Sequence, residues 1–175
     1  AANALDLLGD ALAAVHDLAE AQGSDEVLGA SSLVTTMVNV LPETRNVIPD
    51  QVVMAIDWRI LPTDSDESLV ARVRAAVEQR IPELPSGLSF EVRMATEHQV
   101  TYTGLVADRN LFTPGFLMDP EHPVVQAAAG AVGRRGAEGD AKVRPWQFAT
   151  DGGWSCGVNG IPTIGFAPGE ERLAH

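Results

Sequence analysis

Between Gln51 and Leu61 the side chains alternate strictly between two faces. A period of two is the signature of a β-strand, so this segment predicts a strand with one buried side. The polar face includes Asp57 and Arg59, and the apolar face carries Val52, Met54, Ile56, Trp58 and Ile60. The run from Ser31 to Leu41, rich in Val and Thr, predicts a second strand, and the stretch from Pro42 to Pro49 is a turn-rich connection.

Helical patterns flank these strands. Apolar residues recur at three- and four-residue steps over 3–21, where Gly23 marks the end, and over 65–80, where Asp64 or Ser65 is the expected N-cap. Alternation over 89–97 predicts a third strand. The order of helix, strand, strand, helix, strand predicts an α/β fold. With one more strand in front, it would be a βαββαβ two-layer sandwich of one sheet and two helices.

Composition narrows the partners and the compartment. The 175 residues are 45% hydrophobic, which allows one ordinary domain or two small ones, and the net charge is −12. An acidic chain is a poor ligand for nucleic acid or an anionic membrane surface, so neither is expected as a partner. No apolar run approaches the roughly 18 residues of a membrane span. The single cysteine, Cys156, excludes an internal disulfide and fits a reducing cytoplasm.

The stretch from Trp146 to His175 is the most informative for function. Its Thr150-Asp151-Gly152-Gly153 turn brings a hydroxyl, a carboxylate and unhindered backbone amides to one point. The apolar run from Ile161 to Phe166 predicts a short buried strand, and the Ala167-Pro168-Gly169 turn follows it. Loops after buried strands are where sites lie in α/β proteins. The turn also has a plain structural explanation, in which Thr150 or Asp151 caps exposed amides.

This arrangement resembles the C-terminal signature of the di-zinc metallohydrolases that include aminoacylase, acetylornithine deacetylase and succinyl-diaminopimelate desuccinylase. In that family a Thr-Asp-Gly turn precedes Gly-Ile-Pro-Thr, a strand, Gly-Pro-Gly and an Ala-His whose histidine binds metal. The resemblance implies that His175 is a metal ligand. It also implies a set of residues that face the substrate, namely Thr150, Asp151, Gly152, Pro168 and Gly169. Ala167 departs from the family's first glycine and adds a methyl group there.

The first half of the chain resembles the lid domain of the same family. Ala1-Ala2-Asn3-Ala4 looks like the start of the first lid helix, which implies that the chain begins one strand late. The implied domains are a lid and dimerisation domain at 1–97, a crossing segment at 98–118, and the C-terminal part of the catalytic domain at 119–175. The other metal ligands and the catalytic Glu are then expected upstream, so no catalytic residue is predicted within this chain.

A second lid motif concerns Asn46 and Arg59. Asn-Val-Ile-Pro followed by Asp-Trp-Arg is similar to the lid motif of the carbamoylase and carboxypeptidase branch. There the Asn and Arg reach the substrate's carboxylate, often from the partner subunit. Arginine suits that role because its planar group donates two parallel hydrogen bonds. The alternative is that Asp57 and Arg59 merely form a weak surface ion pair.

The resemblance implies a fragment of a metal-dependent hydrolase, inactive alone, whose intact form cleaves the amide bond of an N-acyl amino acid or small peptide. It implies a small-molecule substrate, a homodimer formed through the lid, and two zinc ions, with cobalt or manganese as substitutes. An alternative from another class is a dimerisation module without catalysis, which should hold no metal. A ferredoxin-like ligand-binding domain is a third option, but it leaves the last thirty residues unexplained.

Overall fold

A computed structural model of the chain describes residues 2–133, 143–146 and 148–166. The chain divides into two compact units. The first unit consists of Ala1–Asp25, Ala30–Ile60 and Asp64–Phe112. The second consists of Glu26–Gly29, Leu61–Thr63 and Thr113–His175. The predicted boundaries at 97 and 118 stay a prediction. The elements are α1 (Leu8–Glu20), β1 (Ser24–Asp25), β2 (Gly29–Ala30), β3 (Ser32–Leu41), β4 (Gln51–Arg59), α2 (Asp66–Arg80), β5 (Thr96–Val100), β6 (Val106–Asn110) and α3 (Pro123–Gly133).

Both predicted helices of the first unit are present. A 3₁₀ turn at Ala4–Leu7 leads into α1, and the Asn3 side chain accepts a hydrogen bond from the Leu5 amide at its start. Ser65 and Ser68 form a reciprocal capping box at the start of α2, which settles the N-cap in favour of Ser65. Hydrogen bonding with the Asp66 side chain, the Glu67 backbone amide and the Ser65 hydroxyl lowers the pKa of the Glu67 carboxyl from its ordinary value.

The core of the first unit lies between α1 and α2. Its buried members are Ala14, Val73, Val77 and Ile81, and partly buried apolar side chains surround them, among them Leu7, Leu18, Ile56, Trp58, Phe90 and Val92. Leu69, Val73 and Val77 of the predicted α2 stripe are buried as expected. Leu5 and Leu12, in contrast, are more than a third exposed.

Strands β3 and β4 form an antiparallel pair. Ser32 lies opposite Arg59 at one end and Leu41 opposite Gln51 at the other, with an irregularity between Thr35 and Met37. Leu33, Ile56 and Trp58 turn towards the helices, while Asp57 and Arg59 lie on the exposed face, as the alternation predicts. The connection from Pro42 to Asp50 begins with a cis peptide bond between Leu41 and Pro42.

The predicted strand at 89–97 is wrong in its hydrogen bonding. Residues 89–95 carry no ladder, and β5 at Thr96–Val100 pairs instead with β6, so that Thr96 lies opposite Asn110. The burial pattern is nevertheless correct, because Phe90, Val92 and Met94 are half-buried and their neighbours are exposed. Alternation reports which side chains face the core, whereas a ladder also needs a neighbouring strand, and the described residues offer none here.

In the second unit, α3 begins at Pro123, and the His122 side chain accepts a hydrogen bond from the Val124 amide at the start of this helix. A π-helix covers Gly153–Val158. The predicted buried strand at 161–166 is wrong. These residues form no strand, and Ile161 and Phe166 are 58% and 77% exposed. β-branched composition alone does not make a strand without a partner.

The fold class is confirmed as α/β, with helices and small antiparallel sheets. The βαββαβ lid topology stays a prediction, because in the described residues β3 and β4 form a two-stranded sheet. In the part of the chain that the structure describes, no helix combines the length and apolarity that crossing a bilayer requires.

Candidate functional site

Arg59 is the last residue of β4 and points to the exposed face of the β3–β4 pair. Its side chain is 56% exposed, and its Nε lies 3.6 Å from the Asp57 carboxylate. An ion pair this exposed contributes little to stability. Within the described residues the guanidinium makes no other ion pair or hydrogen bond, so its two terminal nitrogens keep donors for a further anion.

Asn46 lies at the other end of the same strand. It is exposed in the Pro42–Asp50 connection, which closes through a hydrogen bond from the Asp50 amide to the Leu41 carbonyl. From Gln51 to Arg59, β4 extends about 26 Å at roughly 3.3 Å per residue. Asn46 and Arg59 therefore lie at opposite ends of β4, and their shared contact with one carboxylate stays a prediction.

A shallow depression of about 410 Å³ lies beside this connection. Neither Asn46 nor Arg59 contributes to it, and its lining residues are Val38, Asn39, Val40, Pro42, Glu43, Thr44 and Arg45. The depression therefore does not coincide with the residues that the sequence singled out for the substrate.

The end of β4 is held by a polar network that the sequence analysis missed. Ser31, the one buried polar residue among those described, donates from its hydroxyl to the Arg59 carbonyl at 2.7 Å. The Trp58 indole nitrogen donates to the same hydroxyl at 3.0 Å. The Arg72 guanidinium lies 4.5 Å from the centre of the Trp58 ring and bonds Asp64 at 3.2 Å and Gln22 at 2.8 Å.

Two features of the sequence could have indicated this network. Arg72 lies three residues after Leu69 and four before Ala76, inside the apolar stripe of α2. A charged residue within such a stripe needs a partner on the buried side. Trp58 gives a second signal, since a half-buried indole N–H usually has an acceptor.

The turn at Thr150–Gly152 in the second unit has an evident structural role. The Thr150 hydroxyl accepts a hydrogen bond from the Gly152 amide at 3.2 Å, and the Asp151 carbonyl accepts from the amides of Trp154 and Ser155 at 3.0 Å each. The turn thus starts the π-helix, as the capping alternative predicted. Asp151 is itself exposed. Its carboxylate has no hydrogen-bond partner in the described part of the chain, which leaves the substrate role of this turn a prediction.

Glycines set how closely this turn packs. A Cβ on Gly153 would lie 1.8 Å from the Pro114 carbonyl oxygen, and one on Gly157 would lie 2.5 Å from the Gly115 carbonyl oxygen. A Cβ on Gly152 would lie 2.4 Å from the Phe116 ring. Gly152 is a predicted substrate contact, whereas no packing role was predicted from the sequence for Gly153 or Gly157. Backbone approaches this close require glycine.

The described residues do not form a metal centre. His175, the predicted ligand, lies outside the described residues, as do Pro168 and Gly169. No three His, Cys, Asp or Glu side chains converge within the residues described. His16 instead pairs with Glu20 and His98 with Asp108, both at the surface. The Cys156 thiol lies against the Met118 sulfur, and none of the described residues pairs with it as a base that would make it a nucleophile.

Comparison with known proteins finds a similar family model for the first 85 residues. Residues 1–85 match the model of a peptidase dimerisation domain, M20 dimerisation. The chain is also 29% identical over 174 residues to the uncharacterised protein YgeY of Escherichia coli strain K12 and to that of Escherichia coli O157:H7. Each alignment covers 99% of this chain and 41% of the relative, so the chain spans less than half the length of these curated relatives. No solved structure matches. Residues 1–85 are therefore similar to the dimerisation domain of M20 peptidases, and the chain as a whole is similar to YgeY.

Proposed function

We propose that this chain is part of a metal-dependent hydrolase that cleaves the amide bond of an N-acyl amino acid or small peptide. The observation that carries the proposal is the match of residues 1–85 to a peptidase dimerisation domain. The deacetylase and desuccinylase branch is the proposed specificity, supported by the Thr150-Asp151-Gly152 turn in the sequence. The proposed setting is the cytoplasm, in keeping with a single unpaired cysteine.

Arg59 is the proposed carboxylate-binding residue. Its guanidinium is exposed and uses only Nε in its pair with Asp57, so two N–H donors can meet both oxygens of a substrate carboxylate. Asn46 lies in the connection at the opposite end of β4, a strand about 26 Å long. We therefore assign Asn46 to a separate contact, made with a different part of the substrate or with a partner subunit.

The turn formed by Thr150, Asp151 and Gly152 is proposed to face the reacting end of the substrate. Family resemblance supports zinc as the cofactor, two ions per subunit with cobalt or manganese as substitutes, and such ions activate water for attack on an amide. His175, Pro168 and Gly169 are the proposed contacts outside the described residues. Since the described residues do not form a metal centre, no step of the reaction is assigned to them.

The test is hydrolysis by the full-length gene product. We expect it to hold about two zinc ions per subunit by elemental analysis and to release amino acid from a panel of N-acetyl amino acids, with loss of activity on chelation. The 175-residue chain should hydrolyse none of them and bind zinc only weakly. If this chain alone hydrolysed a substrate and a chelator abolished that activity, the proposal that the other metal ligands lie outside the chain would be contradicted.

A second candidate function is dimerisation without catalysis. It is favoured by the family match, which covers a dimerisation domain over residues 1–85. A full-length gene product that forms a dimer, holds no metal and hydrolyses none of the panel would select this candidate.

A further inference from the structure

We propose that Arg72 is a positioning residue for Arg59, acting through Trp58 and Ser31. The proposal rests on the proposed function, in which Arg59 binds the substrate's carboxylate. All four residues belong to the first unit, and each step between them is a measured contact.

The end of β4 needs support because the strand stops there. Arg59 lies opposite Ser32 in the last register position of the β3–β4 pair, and residues beyond it carry no ladder. Strand ends fray unless other groups hold their backbone. The Ser31 hydroxyl supplies that hold, since it donates to the Arg59 carbonyl at 2.7 Å from a site only 8% exposed.

Trp58 orients this hydroxyl. A serine hydroxyl has one proton to donate, and it lies closer to the Arg59 carbonyl, at 2.7 Å, than to the Gln22 side-chain oxygen, at 3.4 Å. The Trp58 indole N–H, which can only donate, occupies an acceptor position of the hydroxyl at 3.0 Å. The proton of Ser31 is thereby directed to the Arg59 carbonyl.

Arg72 fixes the Trp58 ring. Its guanidinium covers the ring face at 4.5 Å, and two hydrogen bonds, to Asp64 and Gln22, fix the plane of the guanidinium itself. The pair is sheltered, with Arg72 35% and Asp64 14% exposed, so it is screened less than a surface ion pair. Lysine cannot reproduce this, because an ammonium group has no plane to stack and no forked set of donors.

The consequence for binding follows from the length of the Arg59 side chain. Apart from the contact of its Nε with Asp57, no described residue holds the Arg59 guanidinium. The position of the Arg59 backbone therefore sets the region that the guanidinium can reach. A misplacement of about 1 Å at a substrate contact can lower the catalytic efficiency kcat/KM by up to a hundredfold. Because a carboxylate contact is made equally in the ground and transition states, loosening it should raise KM and leave kcat unchanged.

The test compares Arg72→Met with Arg80→Met in the full-length gene product. Arg80 is a matched control, because it is also on α2 and forms ion pairs, with Asp10 and Asp17, but has no contact with Trp58. With the best-hydrolysed N-acetyl amino acid, we expect Arg72→Met to raise KM roughly tenfold at unchanged kcat. Arg80→Met should stay within about twofold, and Arg72→Lys should restore only part of the loss.

A measurement without substrate separates this inference from the proposed function. The ¹⁵N relaxation of the Arg59 side-chain Nε reports the order of the guanidinium, and we expect it to lose order in Arg72→Met and to keep it in Arg80→Met. Unchanged Arg59 order in Arg72→Met, with equal losses of thermal stability in both variants, would overturn the inference. If Arg59→Met leaves KM unchanged, the carboxylate role in the proposed function fails, and the relaxation result still decides whether Arg72 orders Arg59.

Discussion

At the scale of single residues, a substitution of Arg59 distinguishes specific recognition of the substrate's carboxylate from simple charge attraction. Arg59→Lys keeps the positive charge and loses the two-pronged geometry, so we expect kcat/KM to fall by about one to two decades, equivalent to roughly 1.5–3 kcal/mol. The thermal midpoint should hardly change, since the exposed pair with Asp57 contributes little. The control is Arg93→Lys, at an exposed position outside the described strands and helices. A large loss of thermal stability with unchanged kinetics would make Arg59 a structural residue.

Gly153 tests the close packing of the second unit. Gly153→Ala places a methyl group 1.8 Å from the Pro114 carbonyl oxygen, where backbone must move to relieve the overlap. We expect the free energy of unfolding to fall by about 1–3 kcal/mol, as for other overpacked sites. Gly165→Ala is the control, because a Cβ there meets no atom within 4 Å, and its effect should stay within about 0.5 kcal/mol. Equal effects from both substitutions, measured by urea denaturation, would argue against the packing of Gly153 on Pro114.

At the scale of elements, the capping box of α2 is a local and separable feature. Ser65→Ala removes the acceptor for the Ser68 amide and should destabilise the protein by about 0.5–2 kcal/mol. Ser89→Ala is the matched control, since Ser89 is exposed and outside any helix or strand. Thermal unfolding of the two variants gives the comparison, and a loss of the same size for Ser89→Ala would show that the cap itself contributes nothing.

The sequence predicted those elements that depend on local pattern. Capping and helical spacing gave α2 to within a residue, and the period of two placed Trp58 on the buried face and Arg59 on the exposed face of β4. It failed where a distant partner decides the outcome. Residues 89–95 and 161–166 have strand-like composition without a paired neighbour in the described chain. The hairpin of β5 and β6 has weak periodicity and was predicted as a crossing segment.

The candidate site shows the same limit. Motif spacing selected Asn46 and Arg59 as a pair, whereas the structure places them at opposite ends of β4, a strand about 26 Å long. It also gave no role to Ser31 or Arg72, because their contacts join parts of the chain far apart in sequence. Arg72 and Gln22, for example, are separated by 50 residues. Tertiary hydrogen bonds of this kind are visible only in the packed structure. An arginine within an apolar stripe does, however, indicate that it has a hydrogen-bond partner.

At the scale of the whole molecule, the similarity of residues 1–85 to a peptidase dimerisation domain predicts a homodimer, and β3 offers a way to test it. Within the described residues β3 pairs only with β4, so its other edge is open to strand addition. Thr36 lies at the irregularity of the ladder and has no Cα partner in β4, so Thr36→Pro should preserve the β3–β4 pair and block pairing along the outer edge. We expect the full-length gene product to have a dimer mass by light scattering and Thr36→Pro to weaken the dimer at least tenfold, while Thr36→Ala leaves it intact. A sharp monomer mass for the unsubstituted protein at high concentration would contradict the dimer, and a dimer unaffected by Thr36→Pro would place the interface away from this edge.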